Sequence, residues 1–285
     1  MSQYGIKPSV HGGYARGLTA AFTFCKGDNM KYVASCSGGK DSVAMVLGLI
    51  EKDFPLDCVL MVDLGKEFEC IYRVWDKLCK VMDEHGVRHE QLKPEKPFDW
   101  HFAEREVREH KGGVHYGYSW CGGRVRWGTT MKRQLLEKFY ADNYGSEPIC
   151  EYVGIASDEN DRAVIQRSSN IKAYPLIMWG MTENDCLIKC YRSGFHWDEN
   201  GKELYDYLER VSCYCCGNKN LRECKAVIRN FPEYWQKIKD METRIGQPYK
   251  GIGTDVIEQK GIDDLEKQKE KTAAKKLKNA EIPLF

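Results

Sequence analysis

Six residues near the amino terminus have the types and spacing needed to hold a phosphate: Ser37-Gly38-Gly39-Lys40-Asp41-Ser42. Two glycines let the backbone approach an anion closely and take up positive φ. A helix starting here aims its free N–H groups and the positive end of its dipole at that anion. Lys40 adds a point charge, and the hydroxyls of Ser37 and Ser42 can donate to phosphate oxygens. Ser35, just upstream, belongs to the same candidate set. A Walker A loop is excluded twice: it needs Gly at position 34 and Ser or Thr at position 41, where this chain has Ala34 and Asp41. Lys40 and Asp41 are the candidate catalytic residues, with Asp41 placed to help hold Mg2+ on the phosphates.

A second constellation is made of thiols. Cys213-Tyr214-Cys215-Cys216-Gly217 contains C-x-x-C-G, two thiolates on a tight turn with a glycine that permits the turn. One such pair is half of a metal site. Cys121 lies in a Gly-rich loop rather than on an apolar stripe and is the candidate third ligand. Cys224 is the candidate fourth, with Cys215 a spare or substitute. Against Cys224 stands the helical stripe Leu221, Cys224, Val227 and Ile228, which would make it core. Thiolates serve Zn2+ and iron–sulfur clusters alike, so the spacing leaves both open. A thioredoxin-like redox pair is the rival, but Cys213 and Cys216 do not follow the first strand of a βαβ unit. The chain has 13 cysteines, an odd number, and no secretory leader is expected. Most are therefore read as reduced and buried. Cys186 and Cys190, at i and i+4, are read as packing, and His196 as a core or rim histidine.

The elements that must position these residues follow from periodicity. Lys31 to Cys36 reads as a buried strand, and a helix from Asp41 to about Lys52 follows the glycine turn. Asp57 to Val62 is a second strand, and Glu67 to Glu84 a long amphipathic helix with Phe68, Ile71, Trp75, Leu78 and Met82 on one face. Val87 to Leu92 is a third strand. Strand, helix, strand, helix, strand predicts a parallel sheet with crossover helices. Phe98 to His110 is predicted helical, Gly112 to Gly128 a loop, Thr129 to Tyr140 a helix and Ile149 to Ile155 a strand. Thr182 caps a helix running through Cys190, with Asp185 completing the cap. Met181 to Asp240 reads as a smaller helical region.

The hexapeptide in this strand–turn–helix setting resembles the PP-loop, SGGxDS, of the ATP-pyrophosphatase superfamily. The resemblance covers about residues 31–240 and is nearest to the phosphoadenylylsulfate (PAPS) reductase-like branch. Asp63-Leu64-Gly65-Lys66-Glu67-Phe68 is similar to that branch's D-T-G-x-E-F segment. Gly154-Ile155-Ala156-Ser157-Asp158-Glu159-Asn160-Asp161-Arg162 resembles its G-x-R-x-x-E-S-x-x-R segment, departing at Ala156. Arg124-Val125-Arg126-Trp127-Gly128-Thr129-Thr130-Met131-Lys132 resembles its R-W-C-T-x-x-x-K segment, with Gly128 in place of Cys. These matches add Asp63, Arg126, Lys132, Gly154 and Arg162 to the nucleotide-binding candidates. The series Cys121, Cys213, Cys216, Cys224 looks like the cluster-binding cysteines of the DNA-phosphorothioation ATPases within the same branch.

What the resemblance implies is an α/β fold of the adenine nucleotide alpha-hydrolase-like, Rossmann-like kind. It has a mainly parallel sheet with helices on both faces, plus a small helical cysteine-bearing C-terminal subdomain. It implies cleavage of ATP between the α and β phosphates to adenylate an acceptor, with sulfur chemistry to follow. The implied partners are an adenine nucleotide and a sulfur-donor protein or nucleic-acid substrate. Two other functions stand beside it. Reduction of a sulfonucleotide is disfavoured because no cysteine follows Cys224 and Cys121 is followed by Gly122. A non-catalytic ATP-binding module of a defence or nucleic-acid modification complex would bind ATP and release no pyrophosphate.

Composition agrees. With 42% hydrophobic and 30% charged residues, 285 residues can bury a large core, and a formal net charge of +1 calls for no anionic partner by itself. The longest apolar run, Val43 to Ile50, falls far short of the roughly 20 residues a bilayer needs, so no membrane is expected and a cytoplasmic location is. The predicted organisation is an N-terminal extension over 1–30, a nucleotide-binding domain over 31–180, a helical cysteine subdomain over 181–245 and a charged tail over 246–285.

Overall fold

The computed structural model describes residues 29–109, 112–163 and 170–264. The glycine-rich stretch before residue 29 and the charged run Glu266–Ala280 lie outside the described residues. In chain order the elements are β1 (Lys31–Ser35), α1 (Lys40–Glu51), β2 (Cys58–Val62), α2 (Glu69–Glu84), β3 (Arg88–Leu92), β4 (Glu106–Arg108), β5 (Val114–Tyr116), α3 (Trp127–Tyr144), β6 (Ile149–Val153) and β7 (Ile171–Ala173). The short α4 (Pro175–Met178), then α5 (Glu183–Arg192), β8 (Asp198–Glu199), β9 (Lys202–Glu203), α6 (Leu221–Asn230) and α7 (Pro232–Ile245) follow, and a helical stretch over 254–264 ends the described residues.

The chain forms two compact units, each assembled from alternating stretches. The first takes residues up to 63, 70–93 and 132–196, and the second 64–69, 94–131 and 197 onward.

The first unit is α/β with a five-stranded, all-parallel sheet in the order β3-β2-β1-β6-β7. The run Cys-Val-Leu-Met-Val of β2 is buried at every position, as expected for a strand covered on both faces. β1 pairs in register with β2 on one side (Val33 with Cys58) and with β6 on the other (Val33 with Glu151). One core cluster gathers Val33, Cys58, Leu60, Ile149, Phe139 and Tyr140. The apolar stripe of α2 buries Ile71, Val74, Trp75, Leu78 and Met82 as its periodicity requires. The strand β7 at the sheet edge has only three residues, too few to leave a pattern in the sequence.

The second unit packs aromatic residues. Phe68 is fully buried with its ring centroid 4.6 Å from that of Tyr234, and Phe231 and Tyr214 lie at 6.1 and 6.4 Å. The helix predicted over Phe98–His110 forms only in its first half: residues 98–104 are helical, ending in a π-helical Trp100–Glu104 that brings Phe98 and Phe102 together. Arg105 is then extended (φ −59, ψ 128), and β4 pairs antiparallel with β5 as a hairpin. Gly112 and Gly113 both have positive φ there, a turn that a helix cannot continue through. The region 181–240 is likewise not wholly helical, because β8 and β9 form a second hairpin around Asn200-Gly201, both at positive φ. Among the described residues, no helix is long and apolar enough to cross a membrane.

Candidate functional site

The strand order places one candidate site. Chain connections leave β1 toward β2 on one side, while β6 lies on the other side of β1, so the carboxyl ends of β1 and β6 flank a topological switch point. Open parallel sheets bind ligands in that crevice. The loops leaving these two strands are Cys36–Gly39 and the segment beginning at Gly154.

The loop after β1 is held by its own short hydrogen bonds. Cys36 N donates to Leu60 O (2.8 Å), extending the sheet by one residue. Ser42 Oγ donates to Gly39 O (2.9 Å) and accepts from Ser37 N (3.2 Å), and the Ser37 and Ser42 hydroxyls are 3.3 Å apart. Gly38 turns at φ +75, and an added Cβ there would stand 2.8 Å from Ile71 Cγ2. No side chain caps α1, so its first N–H groups keep their capacity for an anion. Gly154 closes the cradle from β6: a Cβ on it would lie 3.0 Å from both Ser42 N and Ser42 Cα and 3.2 Å from Asp41 C. The segment after β6 thus approaches the backbone of the α1 start closely at Gly154.

The point charge of Lys40 is already paired with carboxylates. Lys40 is only 5% exposed, and its Nζ donates to Glu183 Oε2 at 2.8 Å, with Asp41 Oδ2 at 3.4 Å. Glu183 is the first residue of α5. Its backbone N–H donates to Asp158 Oδ1 (3.0 Å), and the capping box of Thr182 with Asp185 fixes the helix start. Ser157 N donates to Met181 O (2.8 Å), so the segment after β6 and the start of α5 are tied at two points. Asp41 is three-quarters buried on its side chain, and its Oδ1 has no hydrogen-bond partner among the described residues. Burial pushes the Asp41 carboxyl above the ordinary carboxylate range; Lys40 opposes this and Glu183 adds to it. Three buried cysteines line the underside. Cys36 Sγ faces Ser42 Oγ (3.5 Å), Cys190 Sγ donates to Lys40 O (3.3 Å), and Cys186 is pushed up to about 12 by burial and by Asp41. All three are buried, in keeping with the packing reading of Cys186 and Cys190.

The other candidates fall as follows. Ser35 ends β1 and is half-buried. Asp63, at the end of β2, is buried and committed to the sheet edge: Oδ1 accepts from Tyr72 Oη (3.0 Å) and Oδ2 from Gln91 Nε2 (3.3 Å), with Lys93 Nζ at 3.8 Å. Arg162 pairs with Glu159 and is exposed. Lys132 lies half-buried on α3 in the first unit. Arg126 belongs to the second unit, exposed, with its guanidinium 3.4 Å from Gly123 O. Glu183 and Asp158 were assigned no chemistry from the sequence. Glu183 could be placed after the Thr182 cap, but nothing local signals its pairing with a lysine 143 residues away.

The cysteine region lies wholly in the second unit. Cys213 to Gly217 forms the expected turn, with Cys216 N donating to Cys213 O (3.0 Å). The Cys121 loop meets it backbone to backbone. Gly217 N donates to Cys121 O (3.0 Å) and Gly123 N to Asn218 Oδ1 (2.7 Å). A Cβ on Gly122 would stand 2.8 Å from Gly217 Cα, and one on Gly128 3.1 Å from Cys121 Sγ. Tyr249 Oη and Lys250 Nζ hold the turn from below through Cys216 O (2.8 Å) and Gly217 O (2.7 Å). Cys224 is buried on α6 beside Val227, in the stripe that argued for core. Cys215 is buried as well, its thiol pushed up to about 12. As placed, the thiols do not form a ligand set: among the described residues, no three His, Cys, Asp or Glu side chains gather at metal-binding spacing. The backbone framework that would bring Cys121 to the Cys213–Cys216 turn is present, and the closed arrangement of sulfurs is not.

No family model matches the chain. It is 28% identical over 221 residues to uncharacterized protein MJ0066 of Methanocaldococcus jannaschii, covering 70% of this chain and 39% of that protein. It is 27% identical over 230 residues to uncharacterized protein MJ0973 of the same organism, covering 79% of this chain and 51% of that one. The chain thus spans about half or less of the curated relatives it matches. Among solved structures, the U34-tRNA thiolase NcsA from Methanococcus maripaludis, with its 4Fe–4S cluster, overlaps with a TM-score of 0.44 and 14% identity, over 81% of this chain and 78% of that one.

Proposed function

We propose that the chain is a PP-loop nucleotide enzyme of the PAPS reductase-like kind, binding ATP at Ser37–Ser42 and cleaving it between the α and β phosphates. One observation carries the reading: an uncapped helix N-terminus, preceded by a positive-φ glycine, lies at the switch point of a parallel sheet, with Gly154 pressed against it. In this reading the N–H groups of Gly39 to Ser42 cradle the phosphates, and Ser37 and Ser42 add hydroxyls. A nucleophile on an acceptor attacks the α-phosphorus, the bond to the β-phosphate oxygen breaks, and pyrophosphate leaves. Positioning and charge neutralisation do the catalytic work, so no general base is required of the loop. Mg2+, when bound, neutralises the phosphate oxygens, and Asp41 is the residue of the loop with carboxylate oxygen to offer it.

The cysteine turn is proposed as the second functional element. Cys121, Cys213 and Cys216 would supply the thiolates of a zinc or iron–sulfur site, and the backbone contact between the Cys121 loop and the turn supports that choice over Cys224. Sulfur transfer to the activated acceptor is the chemistry such a pairing suits. The test is product analysis. Incubation of the full chain with ATP, Mg2+ and candidate acceptors should yield pyrophosphate and an adenylylated acceptor on anion-exchange chromatography, with AMP released when a sulfur donor or water displaces it. ADP and inorganic phosphate as the products would overturn the assignment.

A further inference from the structure

The lysine of the phosphate loop is not presented to solvent. Lys40 Nζ is buried and gives its short bond to Glu183 Oε2 (2.8 Å), while the nearer neighbour in sequence, Asp41, stands at 3.4 Å. Glu183 reaches this place without freedom to drift. Its backbone N–H is held by Asp158, and Thr182 and Asp185 lock the first turn of α5 through a capping box. Its side chain keeps about a quarter of its surface in water, so it can be rehydrated when released, which a fully buried carboxylate could not be.

We propose that Glu183 is a carboxylate latch on Lys40: it competes with the nucleotide's phosphates for the ammonium, and so lowers the affinity of the loop. The proposal rests on the reading of Ser37–Ser42 as a nucleotide site. Charge-assisted hydrogen bonds are the strong ones, and although the ammonium has three donors, the bond to Glu183 is its shortest and partly neutralises its charge, which weakens what it offers a phosphate. Glu183 is thus a positioning residue whose effect on the phosphates runs through Lys40. That route separates the latch from simple repulsion between Glu183 and the phosphates, which would persist with Lys40 removed.

The experiment is isothermal titration of Mg·ATP into the full chain as wild type, Glu183→Gln, Glu183→Asp, Lys40→Ala and the Lys40→Ala/Glu183→Gln double variant. The helix start is held by the backbone of residue 183 and by its neighbours, so these side-chain changes leave the cap intact. Glu183→Gln should bind about tenfold more tightly than wild type, given the worth of one charge-assisted bond at a partly hydrated site. Glu183→Asp keeps the charge but shortens the reach, and should also bind more tightly. In the Lys40→Ala background Glu183→Gln should change affinity less than twofold, on the additivity expected once the shared partner is gone. Unchanged or weaker binding by Glu183→Gln overturns the latch, as does an equal gain with and without Lys40, while binding by the wild type leaves the nucleotide site standing. No ATP binding by any of the five proteins removes both.

Discussion

Gly154→Ala is the sharpest perturbation of the phosphate cradle, because one methyl group must enter a gap bounded by backbone on both sides. The added Cβ would lie 3.0 Å from Ser42 N, 3.0 Å from Ser42 Cα and 3.2 Å from Asp41 C. None of these atoms can rotate away as a side chain would. Relief requires the loop after β6 and the first turn of α1 to separate by several tenths of an ångström. Overpacking of this kind costs about 1–3 kcal/mol. The first turn of α1 is also the proposed anion cradle, so the same displacement should misaim its N–H groups. The assay is urea unfolding followed by circular dichroism, with ATP titration on the same preparations. Gly261→Ala is the control of opposite sign. That glycine lies in the helical stretch 254–264, its added Cβ would meet only Lys225 Cγ at 3.7 Å, and alanine there should stabilise by about 0.5–1 kcal/mol. A Gly154→Ala protein that unfolds at the wild-type midpoint and binds ATP equally well would refute the close approach and the role built on it.

Asp41→Asn should raise the melting temperature at pH 7, because burial holds the Asp41 carboxyl above its ordinary range and its ionised form costs stability. The folded state there binds the proton more tightly than the unfolded chain, so wild-type stability falls as pH rises from the ordinary carboxylate pKa through the raised one. The gain from asparagine should therefore shrink in melts toward pH 4; a gain that grows instead would reverse the sign. Phe68→Ala should cost about 3–5 kcal/mol in chemical denaturation, from its full burial against Tyr234, Phe231 and Tyr214; a loss under 1 kcal/mol would show that the aromatic core is not tightly packed. In anaerobically purified protein, Cys121→Ser, Cys213→Ser and Gly122→Ala should each lower bound metal measured by plasma emission, the last because its methyl group collides with Gly217. Cys224→Ser should keep the metal; if it alone loses it, the fourth thiol is a ligand and the core reading of α6 is wrong.

The sheet was legible because its strands alternate with helices of clear period, and β1, β2, β3 and β6 form within two residues of where the pattern puts them, although β3, Arg-His-Glu-Gln-Leu, is mostly polar. β7 was not, since Ile171-Lys172-Ala173 is too short for periodicity to register. The Phe98–His110 helix stops at Glu104 for a physical reason. Phe98 and Phe102 do share one turn, but the chain extends at Arg105, and Gly112-Gly113 followed by Val114 is a hairpin signal that the aromatic spacing outweighed. At the site, the loop itself could be read because its hydrogen bonds are local, Ser37 and Ser42 closing over Gly39. The Lys40–Glu183 pair could not, since it depends on how α5 docks beside α1. The cysteine turn was visible from C-x-x-C-G, and the stripe through Cys224 and Val227 already indicated a core position, now occupied.

Equilibrium titration of ATP into the chain tests most directly whether Ser37–Ser42 forms a nucleotide cradle. The account predicts saturable binding at one site per chain, weakened in Gly154→Ala while Phe68→Ala, assayed below its melting temperature, retains it. Absence of saturable binding at millimolar ATP with Mg2+, or binding untouched by Gly154→Ala, would contradict it.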